Sequence, residues 1–570
     1  MPKEIDTPRD RRPRLATAAA AVVGLLLVWQ AALASSATYD ETTYLNAGSR
    51  WWREGDRVGV TRMGSPNLFW KIQLAPAFAT LDLLGKGDLI ADQPRRQAEL
   101  LPLARIGASW IWLAGFGLVA WWARRLNGPW AIAFAVWLYA LSPNLIAHGA
   151  LVTMEMPVTV ATVALFLAFH AFLTTGRRRW FWTSATLAGL AFACKFTVVL
   201  YPPILGLVWW LDGMSRDEDL AARLRRTGRV AIGMAGYVAV LLASDFALTG
   251  FAVLPLSPAT GEHPSVARFG ALSPLVARLY ETPIPQDWVG FAGQVRHQAS
   301  GGPGYLLGER KLGGWRSYYL IAAAVKVPLV FWLLVACRLR LDGVKGCLAN
   351  APDRMLLQAM LLFLAVASAG SSRNYGVRYL LPMAPLAIVW VSRLARAEGV
   401  EGAGLPRLGR TRRAILVVGL LGQAVAVASV HPDELTYFNA IAGGRVGGRR
   451  ILADSNLDWG QGLRSLARLQ RERPEFRDLT LYYFGDVDPA FYGVVGDLHV
   501  INADEDRPPL PRVEDATTRY VAVSASLQHG PWGPDDFFRS LDGAEAAAWT
   551  EDTTIVVYRA AEARRAAPPG

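Results

Sequence analysis

Eleven stretches of this chain are nearly free of charge, and basic residues gather in every second gap between them. The long runs are Leu15–Ala34, Ala104–Ala123, Trp130–Ile146, Leu151–Leu173, Val230–Leu248, Tyr318–Cys337 and Ala414–Val430. Shorter ones are Phe181–Ala193, Thr197–Leu211, Met355–Ala369 and Tyr379–Val391. A bilayer core takes about 20 helical residues to cross, so charge-poor runs of this length read as membrane spans. The expected fold is a polytopic α-helical membrane protein of about eleven spans.

The net charge of +12 does not indicate nucleic acid, because the cations are spaced with the spans. They cluster at Arg9, Arg11, Arg12 and Arg14, at Arg124 and Arg125, and at Arg177, Arg178 and Arg179. The series continues at Arg223, Arg225 and Arg226, at Arg338 and Arg340, and at Arg407, Arg410, Arg412 and Arg413. Intervening short loops are poor in them, as the positive-inside rule requires. The N-terminus is therefore expected in the cytoplasm, with loops 37–102 and 249–316 and everything after His431 on the outer side of the cytoplasmic membrane. The first span has a basic start and small residues at Ser35-Ser36-Ala37, features of a signal peptide, but its apolar run favours a retained helix.

Residues 1–430 thus form an expected transmembrane unit and 431–570 an extracytoplasmic α/β domain. In the latter, Ile451-Leu452-Ala453, Leu479–Phe484, Tyr520–Ser524 and Thr554–Tyr558 read as strands and Leu463–Leu469 as a helix. Met1–Arg12 and Ala560–Gly570 read as disordered ends. In the first outer loop, Tyr44–Trp52 and Leu68–Leu74 mix aromatic, apolar and polar residues, which suits short interfacial helices. The second outer loop, rich in Pro and Gly, reads as a substrate-contacting lid or a connector. The three cysteines, Cys194, Cys337 and Cys347, fall outside the outer domain, which leaves it neither disulfides nor Cys-based metal sites.

Chemistry concentrates at the outer ends of the spans. Asp40-Glu41 lies just past the first run, and an acid pair there is expensive to desolvate and so a candidate site. Asp40 can also be read as a plain helix cap. Glu155 sits about one turn into a later span, where an ionised acid must face protein or water. Lys195, Lys326, Arg373 and Arg378 supply cations at similar depth, suited to a phosphate or to snorkelling. His148 sits in the turn before Glu155 as an interfacial polar residue.

With these residues in place, the chain resembles the GT-C superfamily of integral membrane glycosyltransferases, especially glycosyltransferase family 39. The resemblance rests on Asp40-Glu41, on Ser142-Pro143-Asn144-Leu145 with Thr153-Met154-Glu155-Met156-Pro157, and on Lys195-Phe196-Thr197. Gly313–Tyr319, Lys326-Val327-Pro328 and Arg378-Tyr379-Leu380-Leu381-Pro382 continue it. His431–Asn439 and Asp454–Gln461 resemble a bacterial branch with an outer C-terminal domain. Two departures stand out. Glu155 replaces a frequent Asp, and Gly64-Ser65-Pro66-Asn67 stands where relatives often carry His-Pro-Pro or Glu-Lys-Pro.

The resemblance implies a polyprenyl-phosphate-linked sugar donor and an inverting displacement onto a protein, lipid or polysaccharide hydroxyl. Asp40, Glu41 and Glu155 become the catalytic candidates, and Lys195, Lys326, Arg378, Tyr379 and His148 the substrate-binding ones. No cofactor is required, no metal ligands are assigned, and a divalent metal stays open. Membrane lipid is an expected partner and nucleic acid is not. Alternatives are a transporter or flippase, an oligosaccharyltransferase and an inactive glycan-binding scaffold. The second is disfavoured because Trp51-Trp52, Trp121-Trp122 and Trp209-Trp210 all lack a following Asp. Asp458, where strand passes to helix, reads as a helix cap or a glycan contact.

Overall fold

The computed structural model describes residues 12–214, 219–256, 273–349, 351–370, 372–396, 409–502, 513, 516–532 and 538–566. Among these, seven helices are long and apolar enough to cross a membrane, or up to nine if each of two bent pairs is one span. The expectation of eleven exceeds that count because two apolar runs break at proline and two others fold as short helices. In the run Trp130–Ile146, Pro143 opens a new helix and Ser142 turns extended, bending the chain by 64°. In Tyr318–Cys337, Pro328 likewise holds Val327 extended, and the halves Tyr318–Lys326 and Leu329–Ala349 meet at 102°. The runs Phe181–Ala193 and Tyr379–Val391 become the helices Arg178–Phe192 and Met383–Val391.

Small residues let these helices approach closely. Gly189 lies where a Cβ would meet the Leu241 carbonyl oxygen at 2.6 Å, so Arg178–Phe192 seats directly on Leu220–Leu248. At one end of the bundle, the sequence's basic connectors are knit by Arg338 and Arg393, each 2.9 Å from Asp353.

The other end carries a five-stranded sheet in the order Asp497–Ile501, Leu479–Phe484, Tyr520–Ser524, Ile555–Arg559, Ala546–Trp549. The first three strands run parallel and the last two pair antiparallel. Three of the four expected strands are present, and the expected helix extends over Leu463–Glu472. In Ile451-Leu452-Ala453, Leu452 and Ala453 are buried and Ile451 partly so, but the segment leaves a turn with no strand pairing. Leu452, with Ile451 packed beside it, joins a cluster with Phe438, Tyr318 and Leu457. The two strands that sequence missed are the sheet's edges, half exposed, one interrupted by His499 and the other built mainly of alanine, a weak strand former. Ala560–Ala566, expected disordered, is a helix whose Ala560 and Ala563 are buried.

Sheet and bundle are stitched where the first span ends. The Ser36 amide donates to the Gln461 carbonyl at 3.0 Å, Ala37 N to the Tyr492 hydroxyl at 3.0 Å, and Tyr39 N to the Trp459 carbonyl at 2.7 Å. This seam fixes the start of the next helix, Tyr39–Glu54. The loop 37–102 adds Leu68–Leu83, longer than the expected interfacial segment. Within the described part of loop 249–316, the antiparallel pair Val253–Pro255 and Pro283–Pro285 precedes the helix Gln286–Ala299, and the hairpin Pro303–Leu306 with Glu309–Leu312 follows it.

Candidate active site

Thr38 caps the Tyr39–Glu54 helix, and Glu41 closes the capping box by accepting from the Thr38 amide at 3.0 Å. Asp40 is therefore not the cap. One residue apart on a helix, the two side chains point about 100° away from each other, and they enter different surroundings.

Glu41 turns into protein and is fully buried with Arg105. Its Oε1 accepts from Arg105 Nε at 2.9 Å and from Val152 N at 2.8 Å, and its Oε2 accepts from Arg105 Nη2 at 2.6 Å. Arg105 also donates to the carbonyls of Ala32, Ser35 and Ser36, at 2.9, 3.0 and 2.9 Å, capping the first span. Burial alone would raise the Glu41 carboxyl, but the Arg105 charge and hydrogen bonds outweigh it and hold it below the ordinary range. Every lone pair with a neighbour is spent on structure, so Glu41 does not line the cavity next to Asp40. Sequence gave Arg105 no role, although it is the one cation in the run Ala104–Ala123.

Asp40 turns the other way, into a cavity of ≈ 230 Å³ at the sheet-bearing end of the bundle. Its Oδ2 accepts from Arg378 Nη1 at 3.0 Å, and the same nitrogen lies 3.7 Å from Glu155 Oε1. Lys195 Nζ reaches that Glu155 oxygen at 3.0 Å and sits 4.2 Å from the centre of the Tyr379 ring. Glu155 Oε2 is buried and has no hydrogen-bond partner among the described residues. Two carboxylates and two cations thus alternate along one wall. Burial pushes the Asp40 carboxyl above its ordinary range, and the nearby Arg378 charge only partly offsets this.

The C-terminal part sets Arg378. Asn456 Oδ1 accepts from Val377 N at 2.9 Å, Ser455 Oγ donates to the Tyr375 carbonyl at 2.8 Å, and the guanidinium lies 4.2 Å from the Trp459 ring. Gly376, at φ 101°, allows the tight approach, since a Cβ there would meet Ser455 Oγ at 2.4 Å. Asp458 accepts from Gly460 N at 3.1 Å in its own loop and from Ser526 N at 2.9 Å in the first turn of the short helix Ala525–Gln528.

Of the eight expected site residues, Asp40, Glu155, Lys195, Arg378 and Tyr379 line the cavity. Glu41, Lys326 and His148 do not. Lys326 Nζ donates to the carbonyls of Leu435 at 2.9 Å and Asn456 at 2.6 Å, holding the sheet-side chain against the 102° bend. His148 is buried and is not among the residues lining the cavity. Residues that sequence missed are Tyr44, one turn after Asp40, and Gln294, His297 and Gln298 of the Gln286–Ala299 helix. Tyr44 had a legible signal in its i, i+4 spacing from Asp40. The other three lie in a Pro/Gly-rich loop without one. Among the described residues, no group of three or more His, Cys, Asp or Glu side chains is arranged to hold a metal ion.

Residues 104–243 match the family model described as dolichyl-phosphate-mannose-protein mannosyltransferase. The GT-C resemblance holds. The matched segment contains Glu155 and Lys195 together with the spans that carry them. Among solved structures, ArnT from Cupriavidus metallidurans in the apo state is similar at 16% identity and a TM-score of 0.46, over 98% of this chain and 99% of that one. The same protein bound to undecaprenyl phosphate is similar at 15% identity and a TM-score of 0.46, over 98% and 100%. An oligosaccharyltransferase from Archaeoglobus fulgidus, in complex with Zn and sulfate, is similar at 11% identity and a TM-score of 0.37, over 90% and 68%. No curated protein matches the chain.

Proposed function

We propose that this protein is a membrane glycosyltransferase that moves a sugar from a polyprenyl-phosphate donor to an acceptor hydroxyl, with inversion, on the outer face of the cytoplasmic membrane. The observation that carries this reading is the convergence of Asp40, Glu155, Lys195 and Arg378 on one cavity at the end of a membrane bundle. The family match supports glycosyl transfer, and the undecaprenyl phosphate bound by the distant ArnT supports a lipid-phosphate donor.

In this mechanism the acceptor oxygen attacks the anomeric carbon while Asp40 takes its proton. The bond from that carbon to the phosphate oxygen breaks, and its electron pair leaves with the phosphate. A phosphate is a good leaving group, so cations that hold the developing charge suffice. Arg378 and Lys195 supply them. As the phosphate draws Arg378 to itself, Asp40 loses the ion pair that lowers its basicity. Glu155 fixes Lys195 with one oxygen and offers the unpartnered one to a sugar hydroxyl. One displacement inverts the anomeric centre. Glu41 acts only through Arg105, as the positioning residue that sets the Asp40 helix. Residues 1–430 carry this chemistry, and 431–570 hold Arg378 in place.

The test incubates purified protein with radiolabelled polyprenyl-phosphate sugars and a membrane extract, comparing wild type with Asp40→Asn. Transfer by wild type and its loss in the variant are expected. Equal transfer by both overturns the assignment, and uptake of sugar into sealed vesicles without transfer makes the protein a transporter.

A further inference from the structure

The Leu220–Leu248 helix is a peripheral span, since protein buries only 22% of its most apolar stretch. Ile232, Val238 and Leu248 are exposed along it. In a span, apolar surface that protein leaves uncovered faces acyl chains. From Val230, which follows Arg229, to Leu248 the helix rises roughly 28 Å. A hydrocarbon core is roughly 30 Å thick, so Leu248 marks its boundary on the sheet-bearing side.

The chain does not leave that boundary at once. Phe251 N donates to the Phe246 carbonyl at 2.9 Å, closing the helix with Phe251 at φ 56°. The turn brings the Phe251 ring back to 5.2 Å from the Phe246 ring, yet Phe251 stays 65% exposed. Val253 is also exposed, in the strand that pairs with Pro283–Pro285. Gln286 N donates to the Ala252 carbonyl at 2.9 Å, so the Gln286–Ala299 helix starts beside Phe251. Trp288, in its first turn, is exposed. Tryptophan at this depth belongs to the headgroup layer.

The strand Pro283–Pro285 is entered from the helix Ser273–Glu281, which ends where Thr282 N donates to the Arg278 carbonyl at 3.1 Å. Leu275 and Leu279, four residues apart and so on one face, are each 59% exposed. Ala277, on the opposite face, is half-buried, and Arg278 flanks the leucines in the open. Apolar residues to one side with a cation beside them suit a helix lying in an interface plane. These residues follow one another from the end of a lipid-facing span through a single strand pair. That continuity identifies lipid as what covers them.

We propose that Phe251, Val253, Leu275, Leu279 and Trp288 are a lipid anchor, which enters the headgroup–acyl boundary and holds the Gln286–Ala299 wall of the cavity at that depth. The anchor requires only that the chain span a membrane and does not depend on the transfer reaction. On the wall helix, Trp288 and Val295 are exposed two turns apart on one face, while Gln294, His297 and Gln298 line the cavity. Lipid on one side and the cavity on another put the cavity beside the headgroups.

Fluorescence quenching in vesicles tests this. Leu279→Cys, with the half-buried Cys337 changed to Ala, is labelled with an environment-sensitive dye, and the exposed Glu472→Cys is the control on the sheet-bearing part. Each is reconstituted sparsely into phosphatidylcholine–phosphatidylglycerol vesicles that carry a nitroxide near the top of the acyl chain. The lipid nitroxide is expected to quench the label at 279 several-fold more than at 472, and aqueous iodide to give the reverse order. Iodide quenching at 279 as strong as at 472 overturns the anchor. Shielding from both quenchers also overturns it, because protein, such as a second copy, then covers the site. The hold on the wall is read with the double variant Leu275→Ser, Leu279→Ser. Hydrogen exchange of residues 286–299 in vesicles is expected to rise about tenfold, with the central strand Leu479–Phe484 unchanged. Exchange equal to wild type overturns that hold. Neither readout uses substrate, so failure of the anchor leaves the glycosyltransferase reading standing, and failure of transfer leaves the anchor standing.

Discussion

Asp40 and Glu41 are neighbours in sequence and opposites in environment. Glu41 is enclosed, paired with Arg105 and saturated with donors, whereas Asp40 shares one cation with Glu155 at the wall of a cavity. The difference comes from the capping box, which commits Glu41 inward and so turns Asp40 outward. An acid whose pKa is held down by structure is a poor base, and one raised by burial is a competent base. On the proposed mechanism, stability and chemistry are divided between adjacent carboxylates.

That division can be broken at several points. The largest effect is expected at Asp40, where Asn should lower transfer by about 10²–10⁴-fold, the usual worth of a general base, without loss of folded protein. Arg378→Ala should follow at about 10²–10³-fold, because charge on the departing phosphate loses its main partner. Arg105→Met leaves Glu41 buried and unpaired, and should cost about 3–5 kcal/mol of stability in thermal unfolding.

The two acids should also separate by pH. The Asp40 carboxyl is raised, so its ionisation works against the fold as pH climbs above the ordinary aspartate range, and Asp40→Asn should be neutral to stabilising at neutral pH. Glu41 is depressed, so its contribution is complete above the ordinary glutamate range and disappears as pH falls through the lowered value. Acid unfolding of wild type and Glu41→Gln, followed by tryptophan fluorescence, should therefore converge at low pH. The smallest effect is expected at His148, which does not line the cavity, where Asn should change transfer by less than about tenfold.

Much of this was legible in the chain. The membrane-spanning character, the strands of the C-terminal part and the five candidate residues that line one cavity follow from charge spacing and short motifs. What escaped has physical causes. Proline bends at Pro143 and Pro328 turn apparent single spans into bent pairs, which hydropathy cannot register. Lys326 looked like a phosphate ligand because a cation within a span needs anionic company, yet two backbone carbonyls satisfy it. Glu41 looked catalytic beside Asp40 because sequence adjacency hides the turn of a helix between them. The Gln286–Ala299 wall carries no motif, since its role depends on what it faces.

The most direct test of the division of labour measures transfer rate and thermal unfolding on the same preparations of Asp40→Asn and Glu41→Gln. A crossed pattern is predicted: Asp40→Asn loses transfer and keeps its unfolding temperature, while Glu41→Gln unfolds earlier and, where folded, still transfers. Equal loss of transfer in both at unchanged stability would contradict it, making Glu41 a partner in the chemistry rather than the anchor that aims Asp40.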